Sequence, residues 1–235
     1  MKISQLAVLV LVMLCLFAGC GKEPVQPVVA TTPPTTIQPT TEPTEPPDIV
    51  YEDAVRDYLL PVEEFSWERK YKPECVLLHF TSAVMLDRND PYNLDLIRQT
   101  FIDYDLSIHY IVDRDGTVYC YIPENVVSWH AGEGTWKNDE KYTNKLNYYA
   151  IGIEIVAMGS QADMAQYLTA SEYYALDQDL MGYTDAQYES LRALVADICN
   201  RYDIPKTREY VLGHQDYSPT KNDPGELFDW SRILP

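Results

Sequence analysis

Positive charge is scarce in this chain. Across 235 residues, 18 Lys and Arg face 36 Asp and Glu, a formal net charge of −18. Phosphate recognition calls for a basic surface, so nucleic acid is excluded as a partner. The acidity favours solubility and repels other polyanions. Histidine is scarcer still, with four residues, His79, His109, His130 and His214, and any imidazole chemistry must draw on these. Of five cysteines, Cys15 and Cys20 fall at the N-terminus and three remain, an odd number that allows at most one disulfide. Cys75 and Cys120 sit in strand-like runs and are expected as buried thiols, and neither they nor Cys199 lie in a ligand-like loop. No apolar run reaches the roughly 20 residues that span a bilayer, and no internal repeat is visible.

What is present at the N-terminus reads as an export signal. Lys2 precedes a nearly unbroken apolar run over 6–17, the length of a signal-peptide core. The run ends in Phe17-Ala18-Gly19-Cys20, which resembles a bacterial lipoprotein processing site, although Phe17 stands where an aliphatic residue is usual. The alternative is an ordinary secretory signal with an incidental cysteine. On the lipoprotein reading Cys20 is the acylated first residue, loss of Lys2 makes the charge −19, and the chain is anchored to the membrane outside the cytoplasm. Residues 21–47 hold eight of the sixteen prolines and seven threonines, with almost no large apolar side chains, so they are expected to form an extended tether. In polyproline form it reaches at most about 80 Å. The expected organisation is a signal over 1–19, the lipidated cysteine and linker over 20–50, and one domain over 51–235.

Within that domain the patterning predicts a short helix over 52–60, a doubly buried strand over 75–80 and a helix over 91–104. Strands over 107–112 and 117–122 flank the turn Asp113-Arg114-Asp115-Gly116. A strand over 151–156 follows, then a helix over 183–202 with a Thr184/Gln187 capping box and an apolar stripe through Tyr188, Leu191, Leu194, Val195, Ile198 and Tyr202. A short strand over 210–212 delivers His214. The fold class is α/β, a single domain with a central mixed β-sheet covered by helices.

The loop 213–225 gathers His214, Lys221 and Asp223 among turn formers. A His and an Asp nine residues apart can both point at one small cation. Zinc takes such nitrogen and oxygen ligands, and a catalytic zinc uses three protein ligands plus a water. His79, at the end of a buried strand, is the best candidate for the third. In Ile151-Gly152-Ile153-Glu154-Ile155-Val156 the three isoleucines share one face and Glu154 lies on the other, beside Gly152. Glu154 is either a solvent-facing residue or a general base, its pKa moved toward working pH by an apolar setting. Lys221 is either a solvated surface residue or a cation that stabilises an oxyanion. Asp216 is expected to tie the loop together through backbone hydrogen bonds. His130, in Trp129-His130-Ala131-Gly132, is either a ligand-contacting cleft wall or a structural histidine, whereas His109 reads as a core histidine.

Taken together, these motifs resemble the zinc-dependent N-acetylmuramoyl-L-alanine amidases of the type 2 family, which also includes T7-type lysozyme and the peptidoglycan recognition proteins. The matching segments are Leu77-Leu78-His79-Phe80-Thr81, Ser107-Ile108-His109-Tyr110 with the turn after it, Trp129-His130-Ala131-Gly132, 147–154, Tyr183-Thr184-Asp185-Ala186-Gln187-Tyr188 and 213–225. They run in family order from about residue 70 to the end. The resemblance implies zinc at His79, His214 and Asp223, a catalytic acid at Glu154 and a catalytic lysine at Lys221. Ile108 stands where T7-type lysozyme has a catalytic tyrosine, which implies the Glu-based mechanism. Asn147 matches a residue that contacts the stem peptide, and Lys145 a basic position that can meet a stem-peptide carboxylate. The chain departs from the cytosolic enzymes in a His214–Asp223 loop one residue shorter, without their arginine before the lysine. A further departure is a longer segment over 159–182, either a lid or cleft wall or a surface excursion.

The implied function is hydrolysis of the amide between N-acetylmuramic acid and L-alanine in peptidoglycan, with zinc as the sole cofactor. The partners would be peptidoglycan or muropeptide and, through the lipid anchor, a membrane. A monomer is expected, although nothing in the sequence addresses oligomeric state. The main alternative is a recognition module that binds muropeptides without cutting them; such proteins typically lose a zinc ligand, and all three are present here. A zinc peptidase acting within the stem peptide is a second alternative.

Overall fold

The structure, a computed structural model, describes residues 49–234; the signal segment, Cys20 and the tether lie outside these. In chain order the strands are β1 (Trp67–Glu68), β2 (Cys75–Thr81), β3 (Tyr110–Val112), β4 (Val118–Cys120), β5 (Val126–Val127), β6 (Ala150–Val156) and β7 (Val211–Gly213). The helices are α1 (Val62–Phe65), α2 (Leu94–Asp103), α3 (Gln161–Met164), α4 (Ala170–Ala175), α5 (Asp185–Tyr202) and α6 (His214–Tyr217).

β2 and β6 are apolar almost throughout because both faces of their sheet are covered. They pair in parallel at the centre of a five-stranded sheet of order β4-β3-β6-β2-β7. β7 runs parallel to β2 at one edge and β3 parallel to β6, while β4 closes the other edge antiparallel to β3. This is the mixed sheet that the patterning predicts. Alternation places Val76 and Leu78 of β2, and Ile151, Ile153 and Ile155 of β6, against Leu191, Leu194, Val195 and Ile198 of α5. On the opposite face, Ile97 and Phe101 of α2 pack with Ile108, Ile111 and Val156. The register sets Leu77 opposite Gly152 and His79 opposite Glu154, all on the face away from α5.

The capping box of α5 forms as expected. The Thr184 hydroxyl accepts from Gln187 N at 3.1 Å and the Gln187 carbonyl oxygen from Thr184 N at 3.0 Å. Gln187 Nε2 also donates to the carbonyls of Val112 and Val156, at 3.3 and 2.8 Å, and so ties the helix start to the ends of β3 and β6. Cys75, Cys120 and Cys199 are buried and none is joined to another.

The helix expected over 52–60 does not form. The segment instead lies along the outer edge of the sheet. Val55 N donates to Val118 O and Cys120 N to Val55 O, both at 2.8 Å, and Leu60 N donates to Tyr121 O at 2.9 Å. Unpaired backbone groups on an edge strand are an open template, and here they outweigh a short helix propensity. The strands around the 113–116 turn are shorter than expected because the ladder is distorted at His109, whose carbonyl accepts from Tyr121 N at 2.9 Å, and Ser107 N turns to Trp129 O at 3.2 Å. An unforeseen two-stranded ribbon pairs Trp67 with Val127 and Glu68 with Val126. The segment 159–182 folds into α3 and α4 over a small core of Val84, Met158, Met164, Leu168 and Tyr173.

Thr184→Ala removes the hydroxyl cap and should destabilise the domain by about 1 kcal/mol. Thermal denaturation should show this as a drop of about 2–4 °C in Tm.

Candidate metal centre and active-site cleft

Three elements converge on one point. β2 carries His79 near its end, and β7, parallel to it, ends at Gly213 and hands over to His214, the first residue of α6. Asp216 fixes that corner, accepting from Gly213 N at 2.7 Å and from Arg208 at 2.6 Å, the loop-tying role its position suggested. The chain then returns so that Gln215 N donates to Asp223 O at 3.1 Å, which brings the Asp223 carboxylate back over both imidazoles. His79 Nδ1 and His214 Nδ1 stand 3.0 Å apart, and Asp223 Oδ2 lies 2.9 Å from the first and 3.1 Å from the second.

The far side of each ring decides what the near side offers. His214 Nε2 lies 2.9 Å from the Ala131 carbonyl, which can only accept, so Nε2 carries the proton and Nδ1 presents a lone pair. His79 Nε2 lies 2.9 Å from His130 Nδ1 and donates to it when His79 Nδ1 is likewise a lone pair. Burial, then the neighbouring His214, lowers the His79 pKa to about 4, so the ring is neutral near pH 7 and its contact with Asp223 is not an ion pair. Burial raises the Asp223 carboxyl, but in the absence of a cation a proton on the facing imidazole nitrogens lets His214 and His79 hydrogen-bond to it, which outweighs burial and holds the group below the ordinary carboxylate range. Two nitrogen lone pairs and a carboxylate oxygen packed this closely need a cation or a shared proton between them. Nitrogens about 2.0–2.1 Å from a tetrahedral zinc stand roughly 3.3 Å apart, so the donor set and its spacing fit that ion.

The triad lies in a cleft of about 320 Å³ that Glu154, His130, Trp129, Tyr167 and Lys221 also line. Glu154 is half-buried. Burial, and after it the Asp223 charge, pushes its pKa well above the usual carboxylate value, while Lys221 opposes the shift. Five buried side-chain polar atoms lack a hydrogen-bond partner among the described residues, and three of them belong to this cleft: Glu154 Oε2, His130 Nε2 and Trp129 Nε1. Buried polar atoms are normally paired, so this concentration marks a place where a ligand completes the bonding.

The space beside Glu154 that Gly152 leaves is filled by His130. A Cβ at residue 152 would lie 2.6 Å from His130 Nδ1 and 2.5 Å from Ile108 Cδ1. His130 therefore both lines the cleft and holds the His79 ring. His109 is the core histidine expected, fully buried and bonded to Ser128 Oγ at 2.7 Å and Gly152 N at 3.0 Å. Asn147 and Lys145 are not brought to the lining of this cleft. Asn147 Oδ1 accepts from the backbone of His130 at 3.0 Å and of Ala131 at 2.8 Å, which sets the wall that supports both metal-facing imidazoles. Lys145 lines a neighbouring groove with Trp67 and Tyr148.

Asp163 in α3 is a positioning residue that motif reasoning missed. It is almost fully buried. Its Oδ2 accepts from Ser160 N at 2.9 Å and Glu226 N at 3.1 Å, and its backbone carbonyl accepts from Asn222 Nδ2 at 2.9 Å. Gly225, at φ +81°, lets the loop press against it, since a Cβ there would sit 2.5 Å from Asp163 Oδ2. The 159–182 segment thus grips the loop that carries Lys221 and Asp223 from both sides. The Ser160/Asp163 capping spacing is visible in the sequence, but the contact across 59 residues is not. Asp163→Ala should weaken zinc binding about tenfold or more, measured by competition with a chromophoric chelator, and Asp163→Asn should recover part of the loss.

The family model described as N-acetylmuramoyl-L-alanine amidase, Amidase_2, matches residues 69–226. The 1,6-anhydro-N-acetylmuramyl-L-alanine amidase AmpD of Enterobacter cloacae is 34% identical over 129 residues, 54% of this chain and 55% of that protein. AmpD of Haemophilus influenzae is 34% identical over 131 residues, 55% and 57% of the two chains. The chain thus spans about half the length of the curated relatives it matches. Among solved structures, a Se-Met derivative of AmpD shares the fold, with a TM-score of 0.53 and 23% identity over 78% of this chain and 93% of that one. The N-acetylmuramyl-L-alanine amidase AmiD from E. coli, in complex with anhydro-N-acetylmuramic acid-L-Ala-D-gamma-Glu-L-Lys, gives a TM-score of 0.52 and 26% identity over 69% and 56%. A family match over most of the described domain, with the metal-type triad assembled inside it, establishes that this chain belongs to the N-acetylmuramoyl-L-alanine amidase family.

Proposed function

We propose that the chain is a zinc-dependent peptidoglycan amidase that hydrolyses the bond between the lactyl group of N-acetylmuramic acid and L-alanine. One observation carries this reading. The strand register sets Glu154 opposite His79, so an unpartnered carboxylate of raised pKa shares a cleft with the His79, His214 and Asp223 triad. A recognition module that only binds its ligand has no need of such a carboxylate, and the intact triad also weighs against that alternative.

Zinc held by His79, His214 and Asp223 supplies a Lewis acid for the amide carbonyl and acidifies water. Glu154 takes a proton from the attacking water as the C–O bond forms, then returns it to the alanine nitrogen as the C–N bond breaks. Its burial beside Asp223 brings its pKa toward working pH, as both halves of that exchange require. The Lys221 ammonium at the cleft and the unpartnered His130 Nε2–H are the donors for the oxyanion. Asn147 sets the wall behind them, and Lys145 is available to a stem-peptide carboxylate. The substrate is peptidoglycan or a muropeptide, by analogy with the anhydro-N-acetylmuramic acid peptide bound in the AmiD complex. The N-terminal pattern supports an enzyme outside the cytoplasm, with Cys20 lipidated and residues 21–47 as the spacer from the membrane. On that arrangement a lipid anchor, not a cationic patch, keeps this acidic protein near its anionic polymer.

Incubation of the purified chain with peptidoglycan, with and without chelator, tests the activity. New L-Ala amino termini that vanish with chelator are expected. New D-amino termini would indicate a peptidase, and retained binding without cleavage a recognition module. Glu154→Gln should keep its zinc and lose at least about 10²-fold in kcat; a wild-type rate would remove Glu154 from the mechanism. Cys20→Ala should abolish incorporation of labelled lipid and release the protein from the membrane fraction; normal maturation and retention would contradict the anchor.

A further inference from the structure

The cleft continues into a second groove. Phe80 and Tyr167 line both, and the second, of about 440 Å³, is completed by 81–86, Thr100, Tyr104 and Met164. No residue that lines it carries a charge, in a chain of net charge −18. Ten large apolar side chains are exposed among the described residues, and four of them line this groove: Met85 (57%), Leu86 (61%), Tyr104 (72%) and Tyr167 (45%). Such a concentration next to a catalytic cleft is the mark of a ligand surface. The hydroxyls of Thr81, Ser82 and Thr100 add uncharged hydrogen-bonding groups.

The cleft's other neighbour has the opposite chemistry. The Trp129 ring meets Trp67 at 5.0 Å, and Trp67 stacks on Tyr148 at 5.6 Å. Trp67 and Tyr148 line a groove that also gathers Lys70, Lys141, Lys145 and one carboxylate, Glu68. Lys70 pairs with Glu68 at 3.5 Å and Lys141 with Glu74 at 2.6 Å, which leaves the Lys145 ammonium for a ligand's carboxylate. A muropeptide has two arms that differ in the same way. Its peptide arm carries free carboxylates. Its sugar arm is uncharged, because the lactyl carboxyl is tied up in the scissile amide, and it offers C–H faces between hydroxyls and N-acetyl groups. A carboxylate loses its solvation in an uncharged apolar groove, whereas a neutral sugar does not, so charge complementarity assigns one arm to each groove.

We infer that the uncharged groove of Phe80, Met85, Leu86, Tyr104 and Tyr167 is a saccharide subsite that holds the glycan strand leading away from the cleaved amide. The assignment of the two arms rests on the amidase reading. The 159–182 segment supplies Met164 and Tyr167, so it builds one wall of this subsite as well as gripping the metal-ligand loop.

Isothermal titration of the full chain with two ligands that lack the scissile amide tests the subsite. One is the neutral β-1,4-linked tetramer of N-acetylglucosamine, the other the sugar-free peptide L-Ala-D-γ-Glu-L-Lys. The tetramer should bind, and Leu86→Asp should weaken it at least about tenfold while leaving the Kd of the peptide unchanged. Tyr104→Ala, which removes a ring without adding charge, should also weaken the tetramer. Failure of the tetramer to bind, equal binding by wild type and both variants, or loss of peptide rather than sugar binding in Leu86→Asp would each overturn the subsite. Neither ligand can be cut at the muramoyl bond, so the two readings fail separately. A chain that cleaves muropeptides without these sugar effects refutes the subsite alone, and one that shows them without cleavage refutes the amidase alone.

Discussion

A slip of one residue in β6 against β2 would turn Glu154 toward α5 and bring Ile153 or Ile155 to the cleft beside His79. The chemistry of this domain therefore depends on one parallel pairing. What pins it is burial. Val76, Leu78, Ile151, Ile153 and Ile155 are all fully covered on the α5 side, and a polar residue moved among them would lie in an apolar core without partners. β7 extends the same logic, since its alignment with β2 brings His214 alongside His79. Three ligands distant in sequence thus come within 4.8 Å of one another because hydrophobic packing leaves the strands no other register.

Around that frame the metal-facing side chains are oriented by groups that touch no metal. Ala131 O and His130 Nδ1 occupy the outer nitrogens of His214 and His79, and Asn147 holds the backbone that carries both supports. Gly152 lets His130 come close, and Asp163 anchors the return loop of Asp223. Each ligand has its own support, so the centre can be pre-organised at small entropic loss when a cation arrives. The unpartnered atoms then lie on the cleft side, where a substrate meets them.

Much of this was legible in the sequence. The isoleucine alternation around Glu154, the capping box at Thr184 and the ordered histidine motifs each report a local rule, and each element stands where the rule puts it. The failures share a cause as well. Residues 52–60 have a helix-like pattern, but Val55 is recruited by the open edge of β4, a partner more than 60 residues away. Beside the substrate contact that the family pattern implies for Asn147, its amide oxygen supports the His130 and Ala131 backbone, a role only the folded loop reveals. Asp163 and the uncharged groove lie in or against the 159–182 segment, whose significance is wholly tertiary. Pairing rules that act along the chain can be read from it; supports that reach across the chain cannot.

X-ray absorption at the zinc edge tests the central claim most directly. For the zinc-loaded chain the account predicts two imidazole nitrogens and further oxygen ligands, all at about 2.0–2.2 Å, with no sulfur shell. A sulfur contribution near about 2.3 Å, or a chain that takes up no stoichiometric zinc, would contradict it.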